Sequence, residues 1–284
     1  MKVVTVGDNC VDVYTSMQKA FPGGNAVNVA VYLQRFGLEA AYVGAVGSDA
    51  YGQLLIESLR ERAVDVSHLH QLAGTTAVTS IELVNNDRLL GDYEEGVLAS
   101  FTLGAEDLSF IRQFAAVHAG IWGKVEGYFP EFKAHGLITS FDFADRLEHA
   151  MVVPLLPAVD YPFFSYQQDD SYIRDYLHEA QGRGARVAVA TLGEKGSLAY
   201  DGKRFYTHGS EPVKVVDTLG AGDSFIAGFL YGTLQGYTIE HCLTLGTPQP
   251  APSLTLAPGK SICFKEPVNA IINDGYHRCR RLAS

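Results

Sequence analysis

The residues best suited to chemistry form the run Asp217-Thr218-Leu219-Gly220-Ala221-Gly222-Asp223-Ser224, which follows a β-branched stretch at 213–216 and opens an apolar run over 225–234. A glycine-rich turn leading into a helix aims unpaired backbone N–H groups and the positive end of the helix dipole at one point, where an anion such as a phosphate is stabilised. Gly220 and Gly222 remove side chains that would block a close phosphate. Asp223 sits at the helix start, where a carboxylate can orient an attacking hydroxyl and accept its proton. The same run also serves as an ordinary strand-to-helix turn with Asp223 as its N-cap.

Other polar clusters punctuate the chain. Asp12 closes Gly7-Asp8-Asn9-Cys10-Val11-Asp12, directly after the first apolar run, where ligands of open α/β sheets bind; a strand-end turn or helix cap is its structural alternative. Gly23 and Gly24 precede Asn25 and Asn28 at the start of a helical pattern. Thr191-Leu192-Gly193-Glu194-Lys195-Gly196 falls at a strand end and by its residues reads as a β-turn leading into the next strand. Asp92, Glu94 and Glu95 form an acidic cluster beside the expected lid, which by itself reads as a solvated loop. Trp122, the single tryptophan, can stack on a ligand or fill the core.

The elements that must hold these residues alternate short β-branched runs with amphipathic stretches, the pattern of β-α-β units around a mostly parallel sheet. Strands are predicted at 3–6, 40–46, 117–119, 138–143, 161–164 and 186–192, with helices over 25–36 and 52–62. Residues 75–90 alternate in period two around Asn85-Asn86-Asp87, predicting an inserted hairpin that lids the larger domain, and 195–206 predict another around Asp201-Gly202. After Thr247 the character changes: Pro248, Pro250 and Pro252 remove backbone donors at alternate positions, so no helix runs through them.

Composition narrows the functional classes. With 284 residues, 47% of them hydrophobic, the chain can bury a full core without metal or disulfide staples. Cys10, Cys242, Cys263 and Cys279 lack zinc-site spacing and scaffold density, so free thiols in a reducing compartment are expected. A formal charge of −10 disfavours a nucleic-acid surface, and no apolar run is long enough for a membrane span. A soluble cytoplasmic enzyme acting on a small molecule fits these bounds.

The run ending in Gly220-Ala221-Gly222-Asp223, together with Pro22-Gly23-Gly24-Asn25-Ala26-Val27-Asn28 and Arg35-Phe36-Gly37, resembles the two signatures of the ribokinase-like (PfkB) carbohydrate kinases. The resemblance covers roughly residues 1–247. It implies a three-layer α/β/α fold with a mostly parallel sheet and a small β lid, the lid inserted at about 9–22 and 75–100. It also implies ATP as phosphoryl donor with Mg2+, Asp223 as catalytic base, and Gly220, Ala221 and Gly222 around the transferred phosphate. Sugar contacts fall to Asp12, Gly23, Gly24 and Asn28, and nucleotide contacts to Thr191, Gly193, Gly196, Thr218, Gly220 and Gly222. No Gly-x-x-x-x-Gly-Lys-Ser/Thr element competes for that role.

Segments around Asp12, Asp92 to Val97, His118 to Gly123 and Phe141-Asp142-Phe143 are further similar to family members that phosphorylate fructosamines. The resemblance therefore implies transfer to the 6-hydroxyl of fructoselysine or a related fructosamine, with Asp92, Glu95 and Trp122 near the acceptor. A kinase for ribose, fructose or a keto-deoxy sugar acid, and a non-catalytic sugar-binding relative, are the alternatives. Such lids often pair across a homodimer, which is expected here. Two departures stand out. Ser165-Tyr166-Gln167-Gln168-Asp169-Asp170 replaces the family's Asn-x-x-Glu element, leaving the protein ligands of Mg2+ unassigned, and residues 248–284 depart from the family's closing helix. A shifted reading frame and a genuinely divergent tail both fit the second.

Overall fold

The computed structural model describes residues 1–14, 17–84, 87–209 and 220–247. Its amino-terminal half runs Lys2–Val6 (β1), Cys10–Tyr14 (β2), Lys19–Gly23 (β3), Asn25–Arg35 (α1), Glu39–Gly47 (β4), Ala50–Glu61 (α2), Leu69–Leu72 (β5), Val78–Val84 (β6), Asp87–Glu94 (β7) and Ala105–Ile111 (α3). Ala116–Gly120 (β8), Phe129–Ala134 (α4), Ile138–Asp142 (β9), Val152–Leu155 (α5), Tyr161–Ser165 (β10), Ser171–Gly182 (α6) and Ala188–Thr191 (β11) continue the alternation. Ser197–Tyr200 (β12), Phe205–His208 (β13), Ala221–Leu234 (α7) and Ile239–Gly246 (α8) follow.

Each element follows from local chemistry. β1 and β8 are apolar and buried over nearly their whole length, as central parallel strands covered on both faces must be. In α1 the residues Ala26, Val27, Val29, Ala30 and Leu33 form the buried stripe. That helix stops at Gly37, whose φ of +85° lets Leu38 N–H return to the Leu33 carbonyl. α2 begins two residues before its expected start because Asp49 caps it, accepting from Gly52 N–H at 2.8 Å. α7 is apolar almost all round because it is covered on several sides. A Cβ at Gly228 would meet the Leu245 carbonyl oxygen at 2.3 Å, so glycine is what lets α8 pack against it.

The main sheet has the order β13-β12-β11-β10-β9-β8-β1-β4-β5, parallel from β5 through β11, with β12 and β13 antiparallel at the far end. Chain order reverses at β1, which has β4 on one side and β8 on the other. That reversal leaves a crevice beyond the carboxyl ends of the strands, the usual ligand site of such sheets. The fold is the expected α/β arrangement.

The second sheet has the order β3-β2-β6-β7. The hairpin predicted at 75–90 runs on to Glu94 and is not isolated: β6 pairs in parallel with β2, placing Asp12 opposite Thr79. Alternation alone could not reveal that long-range pairing. The expected strand at 213–216, Thr218, Cys263, Cys279 and the proline-rich segment after Thr247 lie outside the described residues. Cys10 and Cys242 are free thiols. Among the described residues no helix is long and apolar enough to cross a membrane.

Candidate active site

Gly220 is the N-cap of α7 with φ +80°, a left-handed conformation that glycine adopts without strain, and no side chain among the described residues caps this helix. The first N–H groups of α7 therefore have no intrahelical acceptor. A Cβ at Gly222 would meet nothing within 4 Å among the described residues, so their packing does not require glycine there. Free N–H groups at a helix start are a feature that can hold a phosphate.

Asp223 does not cap its own helix, so the N-cap alternative fails. Its Oδ1 accepts from Asn25 Nδ2 at 2.8 Å and its Oδ2 from Asn28 Nδ2 at 2.8 Å. The two asparagines lie three residues apart on the first turn of α1, hence on one face, and α1 packs directly against α7. The pairing of the two helix starts thus fixes the carboxylate in place.

Asn25 is the hub of a larger network. Its Nδ2 also donates to Asp142 Oδ2 at 2.9 Å, so its carbonyl must face the other way, toward His118 Nε2 at 2.9 Å. The imidazole therefore carries its proton on Nε2, and its Nδ1 accepts from the Ser140 hydroxyl at 2.8 Å. Burial lowers the His118 pKa to about 3, so the ring stays neutral. Asn25 N–H donates to Asp8 Oδ2 at 2.8 Å, and Asp8 thereby satisfies the start of α1 from the loop after β1.

Three carboxyl groups share this small volume. Loss of hydration raises Asp223 to about 7, with the Asp142 and Asp8 charges adding to the rise and the two asparagine amides opposing it. Burial likewise raises Asp8 and Asp142, each to about 6. A carboxyl titrating near neutrality is matched to taking a proton from a hydroxyl.

Gly23 and Gly24 have separate local reasons. A Cβ at Gly23 would lie 2.5 Å from Asp12 Oδ2, and Gly24, at φ +102°, would drive a Cβ into the Asn9 backbone at 2.6 Å. These glycines bring the lid strands down on α1 and the loop after β1. Asp12 is buried beside them, with the Cys10 thiol 3.5 Å from its Oδ1.

The remaining expected residues sit on the lid and in the loops after strands β8 and β11. Asp92 and Glu94 are exposed on β7, and Glu95 pairs with Lys124 at 2.5 Å, tying the lid to the loop after β8. Trp122 is 52% exposed with the Arg146 guanidinium 5.3 Å over its ring, so it does not fill the core. Thr191, Gly193 and Gly196 lie at the end of β11, two strands beyond Asp142 on the same sheet edge. Gly196, at φ +97°, passes so close to the His208 carbonyl that a Cβ would sit 2.0 Å from it. In the stretch after β10, Asp169 pairs with Arg174 at 2.6 Å and Asp170 caps α6, accepting from Ile173 N–H at 3.1 Å.

The family model described as pfkB family carbohydrate kinase matches residues 5–144 and 163–248. The chain belongs to that family. This pfkB-family kinase is 47% identical over 245 residues to fructoselysine 6-kinase of Escherichia coli (strain K12), covering 86% of this chain and 94% of that protein. It is 34% identical to the fructosamine kinase FrlD of Bacillus subtilis (strain 168), covering 81% of this chain and 82% of that protein. Its fold is that of Arabidopsis thaliana ribokinase complexed with ribose and ATP, with a TM-score of 0.76 at 20% identity over 86% of this chain and 89% of that one.

Sequence reasoning assigns no role to Asp8, Asn25, His118 or Asp142, although each lies in a segment that carries the resemblance. The signal is faint but present: each is a polar residue in or just beyond an apolar strand, or, for Asn25, at a helix start. Only strand order shows that β1, β8 and β9 are neighbours.

Proposed function

We propose that this pfkB-family carbohydrate kinase transfers the γ-phosphate of ATP to the 6-hydroxyl of fructoselysine or a related fructosamine. The 47% identity to fructoselysine 6-kinase over nearly that protein's whole length carries the reading, and the 34% identity to a fructosamine kinase supports it. ATP supplies the phosphoryl group, and Mg2+, when bound with it, would neutralise part of the phosphate charge. Asp223 takes the proton of the 6-hydroxyl as the new O–P bond forms and the bond from the γ-phosphorus to ADP breaks. Asn25 and Asn28 hold its carboxylate in line for that transfer. The backbone N–H groups of Ala221, Gly222 and Asp223 at the start of α7 stabilise the charge that accumulates on the transferred group.

Asp12, Gly23, Gly24 and Asn28 hold the sugar in this reading, while Asp92, Glu95 and Trp122 flank the amine-bearing arm. Thr191, Gly193, Gly196, Thr218 and Gly220 bind the nucleotide. Asp169 and Asp170 are engaged in structural bonds, which favours Mg2+ held by phosphates and water. Residues 1–247 make up the kinase domain in this reading, with 248–284 a tail of divergent sequence; the family match ending at residue 248 supports that boundary. The enzyme works in the cytoplasm.

Fructoselysine is expected to exceed free fructose in kcat/KM by at least ~10-fold, because only the former offers a cationic amine to the acidic rim. Steady-state comparison of the two acceptors with ADP release as readout is the measurement. Equal values, or a preference for fructose, would defeat the fructosamine assignment.

The lid sheet has β3 and β7 as its edges, and edges left open invite pairing with another chain. A homodimer joined through this sheet is expected, and light scattering at micromolar concentration tests it. A fully active monomer would rule it out.

A further inference from the structure

Away from the crevice, His68, His70 and Asp107 bring three ligand atoms together at the sheet edge. His70 lies on β5 and His68 in the turn just before it, two residues apart, while Asp107 comes from α3. His68 Nδ1 is 2.8 Å and His70 Nε2 2.9 Å from the same oxygen, Asp107 Oδ1, and the three atoms lie within 4.8 Å of one another. Asp107 is only 3% exposed, and its other oxygen is engaged by Gly104 N–H at 2.9 Å.

We propose that His68, His70 and Asp107 form a binding site for a divalent transition-metal ion of the zinc type, clamping the edge strand β5 to α3. Two imidazoles and one carboxylate are the donor set such ions prefer over magnesium or calcium. Two ligands held ~2.0–2.1 Å from a tetrahedral ion stand roughly 3.3 Å apart, so each imidazole nitrogen need move only about half an ångström away from Asp107 Oδ1, and the two nitrogens already lie within 4.8 Å of each other. Both imidazoles can present the required nitrogen lone pair by moving the ring proton to the other nitrogen, without a net change in charge. The His68 ring is fixed by stacking on Phe110, with centroids 4.0 Å apart and planes at 17°. That stacking pre-orients one ligand. The His70 side chain is 41% exposed, which leaves a path for the ion and water for the remaining coordination position.

β5 is four residues long and pairs with β4 alone. Such a strand frays readily, and a metal bridge to α3 would hold it in register. The clamp therefore has a stability readout independent of phosphoryl transfer.

The test uses the full chain, stripped with chelator and titrated with Zn2+, with Co2+ as the spectroscopic probe. His70→Gln is the deciding variant, since its amide still donates to Asp107 but supplies no imidazole. The wild type is expected to bind one equivalent that His70→Gln and Asp107→Asn each weaken at least ~10-fold, the range for losing one ligand or its orienting partner. Zn2+ should raise the thermal midpoint of the wild type and not of His70→Gln. Equal affinity in the wild type and His70→Gln would assign the ion to other residues, such as the tail cysteines. Absence of any bound equivalent would leave the cluster as two imidazoles bonded to a carboxylate. Either result overturns the proposal.

Discussion

Replacing Asp223 by asparagine is expected to lower turnover by ~10²–10⁴ while leaving sugar affinity within a few fold, the usual range for loss of a positioned general base. Both oxygens of Asp223 accept from amide donors, so an asparagine there turns one NH2 group against another. Rotation of the Asn28 amide removes that conflict, because its carbonyl then accepts from the new side chain.

Stability should move in the opposite direction. Asp223 has its folded-state pKa raised from 3.8 to about 7. Below pH 3.8 it is protonated in both folded and unfolded chains. As pH climbs from there to about 7 the unfolded chain ionises first, so this group's stabilising contribution is lost across that window and stays lost above it. The variant has no carboxyl to ionise at this position, so at pH 8 Asp223→Asn should be more stable than the wild type by about 1 kcal/mol or more. Denaturant melts at pH 4 and pH 8 beside single-turnover rates test both halves. Near-normal turnover in a folded variant would strip Asp223 of its role as base.

The second large effect concerns Asn25. Asn25→Ala removes the amide that lies within 2.9 Å of both Asp142 and Asp223, and it also removes the acceptor of the His118 Nε2 proton. Losing a donor to its charged form raises the Asp223 pKa further, and two facing carboxyls then titrate as a pair. The acid limb of kcat/KM is expected to move upward by about one pH unit. Turnover at pH 7 should fall ~10-fold or more and recover in part toward pH 9. The orphaned imidazole N–H adds a stability loss of ~1–3 kcal/mol. His118 remains neutral throughout and contributes no limb of its own. A pH profile superimposable on that of the wild type would reduce Asn25 to a packing residue.

The legible parts of the site are those whose chemistry is local. The turn at Gly220-Ala221-Gly222 and the acid at its end lie within four consecutive residues, so sequence alone places a carboxylate beside an anion-binding helix start. Gly23 and Gly24 were legible for the same reason, although their partners were not: Asp12 and Asn9 reach them only through the lid pairing. The period-two run after Thr75 announced a hairpin, since alternation is a property of one strand. Its partner β2 was hidden, because hydrogen bonds between strands more than sixty residues apart leave no mark on either one.

The sequence by itself determined the α/β fold and singled out Asp223, the proposed base, with the glycines beside it, because periodicity and turn chemistry act over a few residues. Tertiary structure decided what surrounds that base. The helix starts of α1 and α7 and the ends of β1 and β9 meet only when the sheet is assembled, and their meeting sets which amides hold Asp223 and which charges raise it toward neutrality. Desolvation and Coulomb interactions depend on distance in space rather than along the chain, so the raised pKa of Asp223 belongs to the fold.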